Sequence, residues 1–168
     1  WHAGKSNWKS FTYINKYSIG IEIQNSGHGK QYSNFTSKQI NSLIKLCKNL
    51  KKKFNIKNQN ILGHSDISYD RKKDPGEKFP WKRLAAENIS IWHNLDESYL
   101  LNLRNHKIIE NEKNKFFANL KKIGYFLEKG KKNRKKLILA FQRRFRNNLI
   151  NGVLDRECLE ITNKLCRN

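Results

Sequence analysis

The 168-residue chain contains no methionine and only two prolines. It begins at Trp1 and keeps no initiator, so we expect a processed product or a fragment, with any targeting or anchoring segment upstream. No run of about 18 apolar residues occurs, which argues against a membrane-spanning segment in this sequence.

Cysteine is also scarce. Cys47, Cys158 and Cys166 include no Cys-x-x-Cys pair, which argues against a disulfide framework or a cysteine zinc site. On one helix, Cys158 and Cys166 would lie about 12 Å apart, too far for a disulfide bond. We expect all three to pack as small apolar side chains.

Acidic residues are few: 14 Asp and Glu stand against 35 Lys and Arg, a net charge of +21. Such a surface attracts polyanions such as nucleic acid, anionic lipid or a carboxylate-bearing cell-wall polymer. Codon bias toward Lys, Asn and Ile explains the charge equally well. The sequence has no helix-turn-helix, zinc-finger or RNA-binding sheet signature, so we expect no nucleic-acid partner.

The first half of the chain predicts alternating strands and helices. Residues 18–24 alternate strictly between apolar and other side chains, which predicts a half-buried strand with Glu22 on its second face. Residues 35–54 predict an amphipathic helix that Thr36 and Gln39 cap. Residues 60–64 predict a short strand that ends at His64.

A loop over residues 65–80 and a short helix from Pro80 through Ala86 complete this α/β pattern. After Trp92 the spacing of apolar residues becomes helical to the end of the chain. We therefore predict two domains, residues 1–92 and residues 97–168, the second a small all-α domain of three helices.

The segment G-H-S-D-I-S-Y-D-R-K-K-D-P-G holds the candidate chemistry. His64 and Asp74 have side chains that suit zinc, although a histidine near an aspartate is also a common structural hydrogen bond. Lys72 could stabilise an oxyanion, or it could be one surface cation among many. Glu22 could act as a general base, or it could pair with a surface lysine.

Three stretches of the first half carry a family resemblance. W-H-A-G at 1–4, S-I-G-I-E at 18–22, and G-H-S-D-I followed by R-K-K-D-P-G resemble the zinc-dependent N-acetylmuramoyl-L-alanine amidases of the AmpD/AmiD type. The resemblance covers about residues 1–92. It implies an α/β amidase domain with a mixed central sheet flanked by helices. It also implies zinc-dependent hydrolysis of the amide between N-acetylmuramic acid and L-alanine in peptidoglycan.

The resemblance also implies roles for particular side chains. His64 and Asp74 would be zinc ligands, and Glu22 would be the acid that activates water. Lys72 would stabilise the transition state, and His2 and Trp8 would lie in the substrate groove. In the family, a further zinc histidine lies on a strand upstream of W-H-A-G. We therefore expect the first strand and one ligand to be missing, which leaves open whether this chain binds zinc or is active.

The second half resembles a peptidoglycan-binding module of three helices over about residues 110–166. The resemblance rests on L-A-F-Q-R-R-F-R at 139–146 and on I-N-G-V-L-D-R-E-C-L at 150–159. Together the two resemblances imply a bacterial protein of the periplasm or cell envelope with peptidoglycan or muropeptides as its partner. A non-catalytic peptidoglycan-binding protein that has lost a complete metal site is the alternative, and a basic nucleic-acid-binding protein is a more remote one.

Overall fold

A computed structural model describes residues 1–29 and 31–167 of the chain. In chain order the α-helices of this part are α1 (Ser37–Phe54), α2 (His64–Ile67), α3 (Trp81–Ala86), α4 (Glu97–Leu103), α5 (Glu110–Ile123), α6 (Lys131–Phe145) and α7 (Arg156–Leu165). Short 3-10 helices cover Ile14–Tyr17 and Asn58–Asn60.

The sheet of the described residues is a small antiparallel hairpin. Strands β1 (Asn7–Trp8) and β2 (Phe11–Thr12) pair with Asn7 opposite Thr12 and with Trp8 opposite Phe11. The mixed central sheet expected from the sequence is therefore not formed by this part of the chain.

The prediction of a paired strand over residues 18–24 was wrong. The segment is not assigned to a strand, and Ile19 and Ile21 are 51% and 39% exposed. Alternation describes the side-chain pattern of a strand, but a strand also needs a hydrogen-bonded neighbour. Residues 1–29 and 31–167 provide none for this segment.

The strand predicted over residues 60–64 was also wrong. Asn60 closes a 3-10 helix, residues 61–63 are extended without a partner strand, and His64 is the first residue of α2. Apolar residues in this short run pack against helices rather than against a sheet, and a run of this length has no periodicity of its own.

The start of α1 was predicted correctly. Thr36 Oγ1 accepts a hydrogen bond from Gln39 N, and Gln39 Oε1 accepts one from Thr36 N. This reciprocal pair satisfies backbone donors that the first helical turn leaves free. The short helix after Pro80 is confirmed as α3, with Pro80 immediately before its first residue.

A turn and a helix cap precede α7. Gly152 has a positive φ of 72°, a conformation that glycine adopts at low cost. Asp155 follows as the N-cap, and its Oδ1 accepts a hydrogen bond from Cys158 N at 3.0 Å.

One buried cluster joins the two halves of the chain. Ala3, Trp8 and Tyr69 from the first half share this core with helices α5, α6 and α7. A second cluster packs α1 against α3, and Trp92 touches both clusters. The first cluster therefore continues across residues 93–97, where the sequence predicts a domain boundary. In the part of the chain that the structure covers, each helix is too short or too polar to cross a bilayer.

Candidate metal centre

His64 and Asp74 lie side by side at the start of α2. His64 Nδ1 is 3.0 Å from Asp74 Oδ2, although ten residues separate them in the sequence. The His64 side chain is 18% exposed, whereas the Asp74 side chain is 59% exposed. Ser65 N donates to the Asp74 carbonyl oxygen at 2.8 Å, and this backbone hydrogen bond closes the loop between them. The backbone that carries the two residues is therefore held together, and the Asp74 side of the pair is open to solvent.

Asp74 is held in its ionised form. The hydrogen bond with His64 lowers the pKa of the Asp74 carboxyl below its usual value, and the nearby charge of Lys72 acts in the same direction. Partial burial opposes these effects without reversing them. An ionised carboxylate is the form that binds a cation.

The helix that carries His64 is anchored by the next acidic residue. Asp66 Oδ2 accepts a hydrogen bond from Gly63 N at 2.7 Å, and Asp66 Oδ1 accepts one from the Tyr125 hydroxyl at 2.6 Å. Asp66 also forms a salt bridge with Arg144, and both side chains are almost fully buried. Arg144 Nη2 donates to the Ile61 carbonyl oxygen at 3.1 Å. Arg144 of α6 therefore fixes the backbone near His64, directly at Ile61 and through Asp66 at Gly63.

Sequence reasoning did not find this anchor. Asp66 lies within the G-H-S-D-I motif, and an acidic residue three positions after Gly63 is a local sign of a capped helix start. Arg144 gave no such sign, since it is one of 35 basic residues and lies 78 positions from Asp66.

The loop after Asp74 is held by residues from earlier and later parts of the chain. The Tyr32 hydroxyl donates to the Pro75 carbonyl oxygen at 3.2 Å, and His28 Nε2 lies 2.8 Å from Glu77 Oε2. Asn147 Nδ2 donates to the Glu77 carbonyl oxygen at 2.9 Å. These contacts hold the residues that directly follow Asp74, and so they keep Asp74 beside His64.

The two proposed catalytic side chains are placed differently. Lys72 is half-buried, and its charge reaches Asp74 closely enough to lower the pKa of that carboxyl. Glu22 is exposed on the extended segment, and its carboxylate makes no hydrogen bond or salt bridge to residues 1–29 or 31–167. The structure therefore brings Lys72 to the pair and leaves Glu22 free.

His2 packs against the segment that leads to Glu22. His2 Nε2 lies 2.8 Å from Ser18 Oγ, and a Cβ at Gly20 would come within 2.5 Å of the His2 ring. The glycine of S-I-G-I-E thus allows the close approach of the His2 ring. This contact links W-H-A-G to the Glu22 segment.

Trp8 does not border an open groove. Its side chain is 5% exposed, and its ring makes an edge-on contact with Tyr125 at 5.1 Å between centroids. A Cβ at Gly124 would overlap the Trp8 ring at 2.5 Å. The large apolar ring is therefore part of the core, and its burial does not support the substrate-groove role that the resemblance implies for Trp8.

The donor atoms at His64 and Asp74 fit a zinc ion in type. An imidazole nitrogen and a carboxylate oxygen are both common zinc ligands, and they face each other at 3.0 Å. A catalytic zinc site usually has about three protein ligands. Across residues 1–29 and 31–167, no group of three or more His, Cys, Asp or Glu side chains is arranged to hold a metal. His64 and Asp74 therefore account for two ligands.

Comparison of the sequence with known proteins agrees with this chemistry. Residues 1–77 match the family model described as N-acetylmuramoyl-L-alanine amidase. The chain is 34% identical to the N-acetylmuramoyl-L-alanine amidase AmiD of Escherichia coli K12, over 98% of this chain and 62% of AmiD. It is 40% identical to the 1,6-anhydro-N-acetylmuramyl-L-alanine amidase AmpD of Haemophilus influenzae, over 51% of this chain and 45% of AmpD. The chain thus spans less than two thirds of the length of these relatives.

Solved structures give the same result for the fold. E. coli AmiD in complex with the substrate anhydro-N-acetylmuramic acid-L-Ala-D-γ-Glu-L-Lys superposes with a TM-score of 0.84 at 34% identity, over 99% of this chain and 68% of AmiD. AmpDh3 of Pseudomonas aeruginosa superposes with a TM-score of 0.84 at 31% identity, also over 99% and 68%. The similarity to AmiD extends through both the His64–Asp74 region and the helical half. The chain therefore belongs to the N-acetylmuramoyl-L-alanine amidases of the AmpD/AmiD type.

Proposed function

We propose that this chain hydrolyses the amide bond between N-acetylmuramic acid and L-alanine in peptidoglycan fragments. The observation that carries the proposal is the contact of 3.0 Å between His64 Nδ1 and Asp74 Oδ2, in a chain whose fold matches that of AmiD. Two donor types that suit zinc meet there at an open surface.

His64 and Asp74 would hold a zinc ion. When bound, zinc lowers the pKa of a water ligand toward about 7 and polarises the carbonyl under attack. The lowered pKa of Asp74 supports its role, because the carboxyl is already ionised when the metal arrives. The third protein ligand would come from outside residues 1–29 and 31–167.

Lys72 would stabilise the negative charge that grows on the scissile carbonyl oxygen. Its support is position: the side chain is half-buried and its charge acts on Asp74. A fixed cation beside a developing oxyanion stabilises the transition state more than the substrate.

Glu22 would hold the attacking water, take its proton and pass it to the leaving amine of L-alanine. The free and exposed carboxylate supports this role, since an acid already bound in a salt bridge is a weaker base. His2 would line the substrate groove beside the same segment, where it contacts Ser18.

The proposed substrate is an anhydro-muropeptide. Its support comes from the two relatives, because the AmiD structure contains an anhydro-muramyl tripeptide as substrate and another AmpDh3 structure contains anhydromuramic pentapeptide. The latter structure superposes with a TM-score of 0.82 at 31% identity, over 97% of this chain and 67% of AmpDh3.

We also propose that residues 1–92 form the amidase part and residues 97–168 a peptidoglycan-binding part, acting in the periplasm or cell envelope. The helical content of the second part and its A-F-Q-R-R-F-R and N-G-V-L-D sequences support this division.

The test is release of the stem peptide from purified anhydro-muropeptide, followed by chromatography. The chain is assayed with and without a metal chelator. We expect release that chelator stops, zinc restores and His64→Ala abolishes. If neither chelator nor His64→Ala reduces the release of stem peptide, the zinc mechanism is refuted.

A non-catalytic peptidoglycan-binding protein is the second candidate. It is favoured by one observation, the two-ligand site within the described residues. It predicts that the chain binds anhydro-muropeptide but contains less than one zinc per chain and releases no peptide. One zinc per chain together with peptide release would exclude it.

A further inference from the structure

His2 is held at both its backbone and its ring. Asn15 Oδ1 accepts a hydrogen bond from His2 N at 2.8 Å. On the ring, His2 Nε2 lies 2.8 Å from Ser18 Oγ, and that hydroxyl donates to the Ile14 carbonyl oxygen at 2.8 Å. Asn15 belongs to the 3-10 helix that precedes the extended segment, and Ser18 is the C-cap of this helix. Two contacts from one short helix therefore fix His2.

Gly20 allows the His2 ring to lie directly against the extended segment. A Cβ at Gly20 would come within 2.5 Å of His2 Cγ and within 2.8 Å of His2 Cδ2. A glycine inside an extended segment often marks such a close approach. Together with Ser18, it gives the ring two contact points on the segment, both on the side that precedes Glu22.

The other end of the segment is held by α1. Gln39 Nε2 donates to the Gln24 carbonyl oxygen at 2.7 Å, and Ile23 is half-buried against the cluster that packs α1 on α3. Glu22 therefore lies between two anchors, the His2 ring before it and α1 after it. Because no strand of the described residues pairs with this segment, these anchors determine where Glu22 lies.

The W-H-A-G turn is itself fixed beside the candidate metal centre. Arg71 Nη2 donates to the Ala3 carbonyl oxygen at 2.6 Å. Ser68 Oγ, at the end of the helix that begins with His64, donates to the Lys5 carbonyl oxygen at 2.8 Å. A series of direct contacts thus runs from this helix through the turn to the extended segment.

We propose that His2 is a positioning residue for Glu22. Through Ser18 and Gly20 it keeps the Glu22 carboxylate in one place relative to the candidate metal centre. A general base must lie within hydrogen-bond reach of the proton that it takes, and a displacement of about 1 Å can cost about 10²-fold in rate. The kinetic part of this inference rests on the proposed function, whereas the effect of His2 on the segment does not.

The first test is the backbone mobility of residues 18–22, measured by ¹⁵N NMR relaxation on the metal-free chain. In the wild type we expect order parameters of about 0.85, as in rigid backbone. His2→Ala and Ser18→Ala should each lower them to less than about 0.6. His2→Gln should keep most of the rigidity, because its amide nitrogen can donate to the serine hydroxyl as Nε2 does. His106→Ala, at an exposed histidine, is the control and should change nothing.

Order parameters that are low in the wild type, or equally high in all variants, would overturn the proposal. Circular dichroism spectra identify any variant that fails to fold, and Ser18→Ala is the mildest change because it removes one hydroxyl. Gly20→Ala adds a test by crowding. It should raise the mobility of the segment when His2 is present and have little effect in the His2→Ala background, where the ring is gone.

Rates of peptide release from anhydro-muropeptide separate positioning from a direct contact with substrate. His2→Ala should lower kcat about 10²-fold with little change in KM. His2→Gln should recover most of this loss. In a Glu22→Gln background, His2→Ala should have no further effect on kcat, because the carboxylate that it positions is already gone.

A loss in the Glu22→Gln background as large as in the wild type, or a rise in KM alone, would show that His2 acts on the substrate directly and would overturn the positioning role. A wild-type chain with an ordered segment that releases no peptide would contradict the proposed function. The effect of His2 on the segment would remain in that case.

Discussion

Asp66 and Arg144 form a salt bridge in which both side chains are at most 2% exposed, and it joins the helix that begins at His64 to α6. The Arg144 guanidinium also stacks on the Trp81 ring at 4.1 Å. The helical half of the chain thus holds the candidate metal centre in place. The proposed binding of peptidoglycan by this half would be a second role beside this structural one.

Loss of Arg144 should therefore destabilise the whole chain. Arg144→Ala leaves Asp66 charged, buried and without its partner, and breaking a buried pair in this way costs about 3–5 kcal/mol. The free energy of unfolding, measured by urea denaturation, checks this value. Arg83→Ala is the control, since Arg83 is exposed on α3 and its loss should change stability by about 0.5 kcal/mol or less. Equal effects of the two changes would contradict the anchoring role of Arg144.

Two helix caps should differ in their contribution because one of them also neutralises a buried cation. Asp155 caps α7 and its Oδ2 binds Arg146 Nη1 at 2.6 Å, with both side chains buried. Thr36 caps α1 at the surface. Thr36→Ala should cost about 1 kcal/mol. Asp155→Ala should cost more than twice as much in the same unfolding experiment, and a cost no larger than that of Thr36→Ala would show that Arg146 does not need its partner.

The buried His93 should make the chain sensitive to acid. Burial lowers the pKa of His93 to about 4, the charge of Lys82 also lowers it, and the Phe145 carbonyl and Glu157 partly oppose this effect. The ordinary value near 6.5 applies to the unfolded chain. Between these values the unfolded chain binds the proton more readily, so stability falls as pH decreases from about 6.5 to 4, by up to about 3 kcal/mol.

Urea denaturation at pH 7 and pH 4.5 measures this loss. His93→Asn removes the titrating group and retains an acceptor for Leu95 N, which donates to His93 Nδ1 at 3.1 Å in the wild type. This variant should lose less stability on acidification than the wild type. His106→Asn, at an exposed position, should behave as the wild type does. An unchanged acid response in His93→Asn would contradict the burial argument.

Lys72 and its neighbour Lys73 offer a matched test of the proposed oxyanion role. Lys72→Met should lower kcat about 10²–10³-fold with little change in KM, because the cation acts on charge that develops in the transition state. Lys73→Met should leave both constants nearly unchanged. Comparable losses in the two variants would point to general surface charge instead of a placed cation.

Local features of this fold were predictable from the sequence. The Thr36–Gln39 cap, the Asp155 cap and the helix after Pro80 each depend on residues within one helical turn. The strands at 18–24 and 60–64 were wrong, because a strand depends on neighbours that the pattern does not contain.

The same distinction applies to the candidate site. The family motifs indicated His64 and Asp74, and the structure places them together. The buried position of Trp8 and the anchor from Arg144 were missed, since each depends on contacts with distant helices.

Zinc binding to the purified chain, measured by isothermal titration calorimetry, tests most directly whether His64 and Asp74 hold one metal ion together. We predict binding of a single zinc ion that His64→Ala and Asp74→Asn each abolish, while His106→Ala leaves it unchanged. Zinc binding that persists in both site variants, or is lost only with His106, would contradict the account.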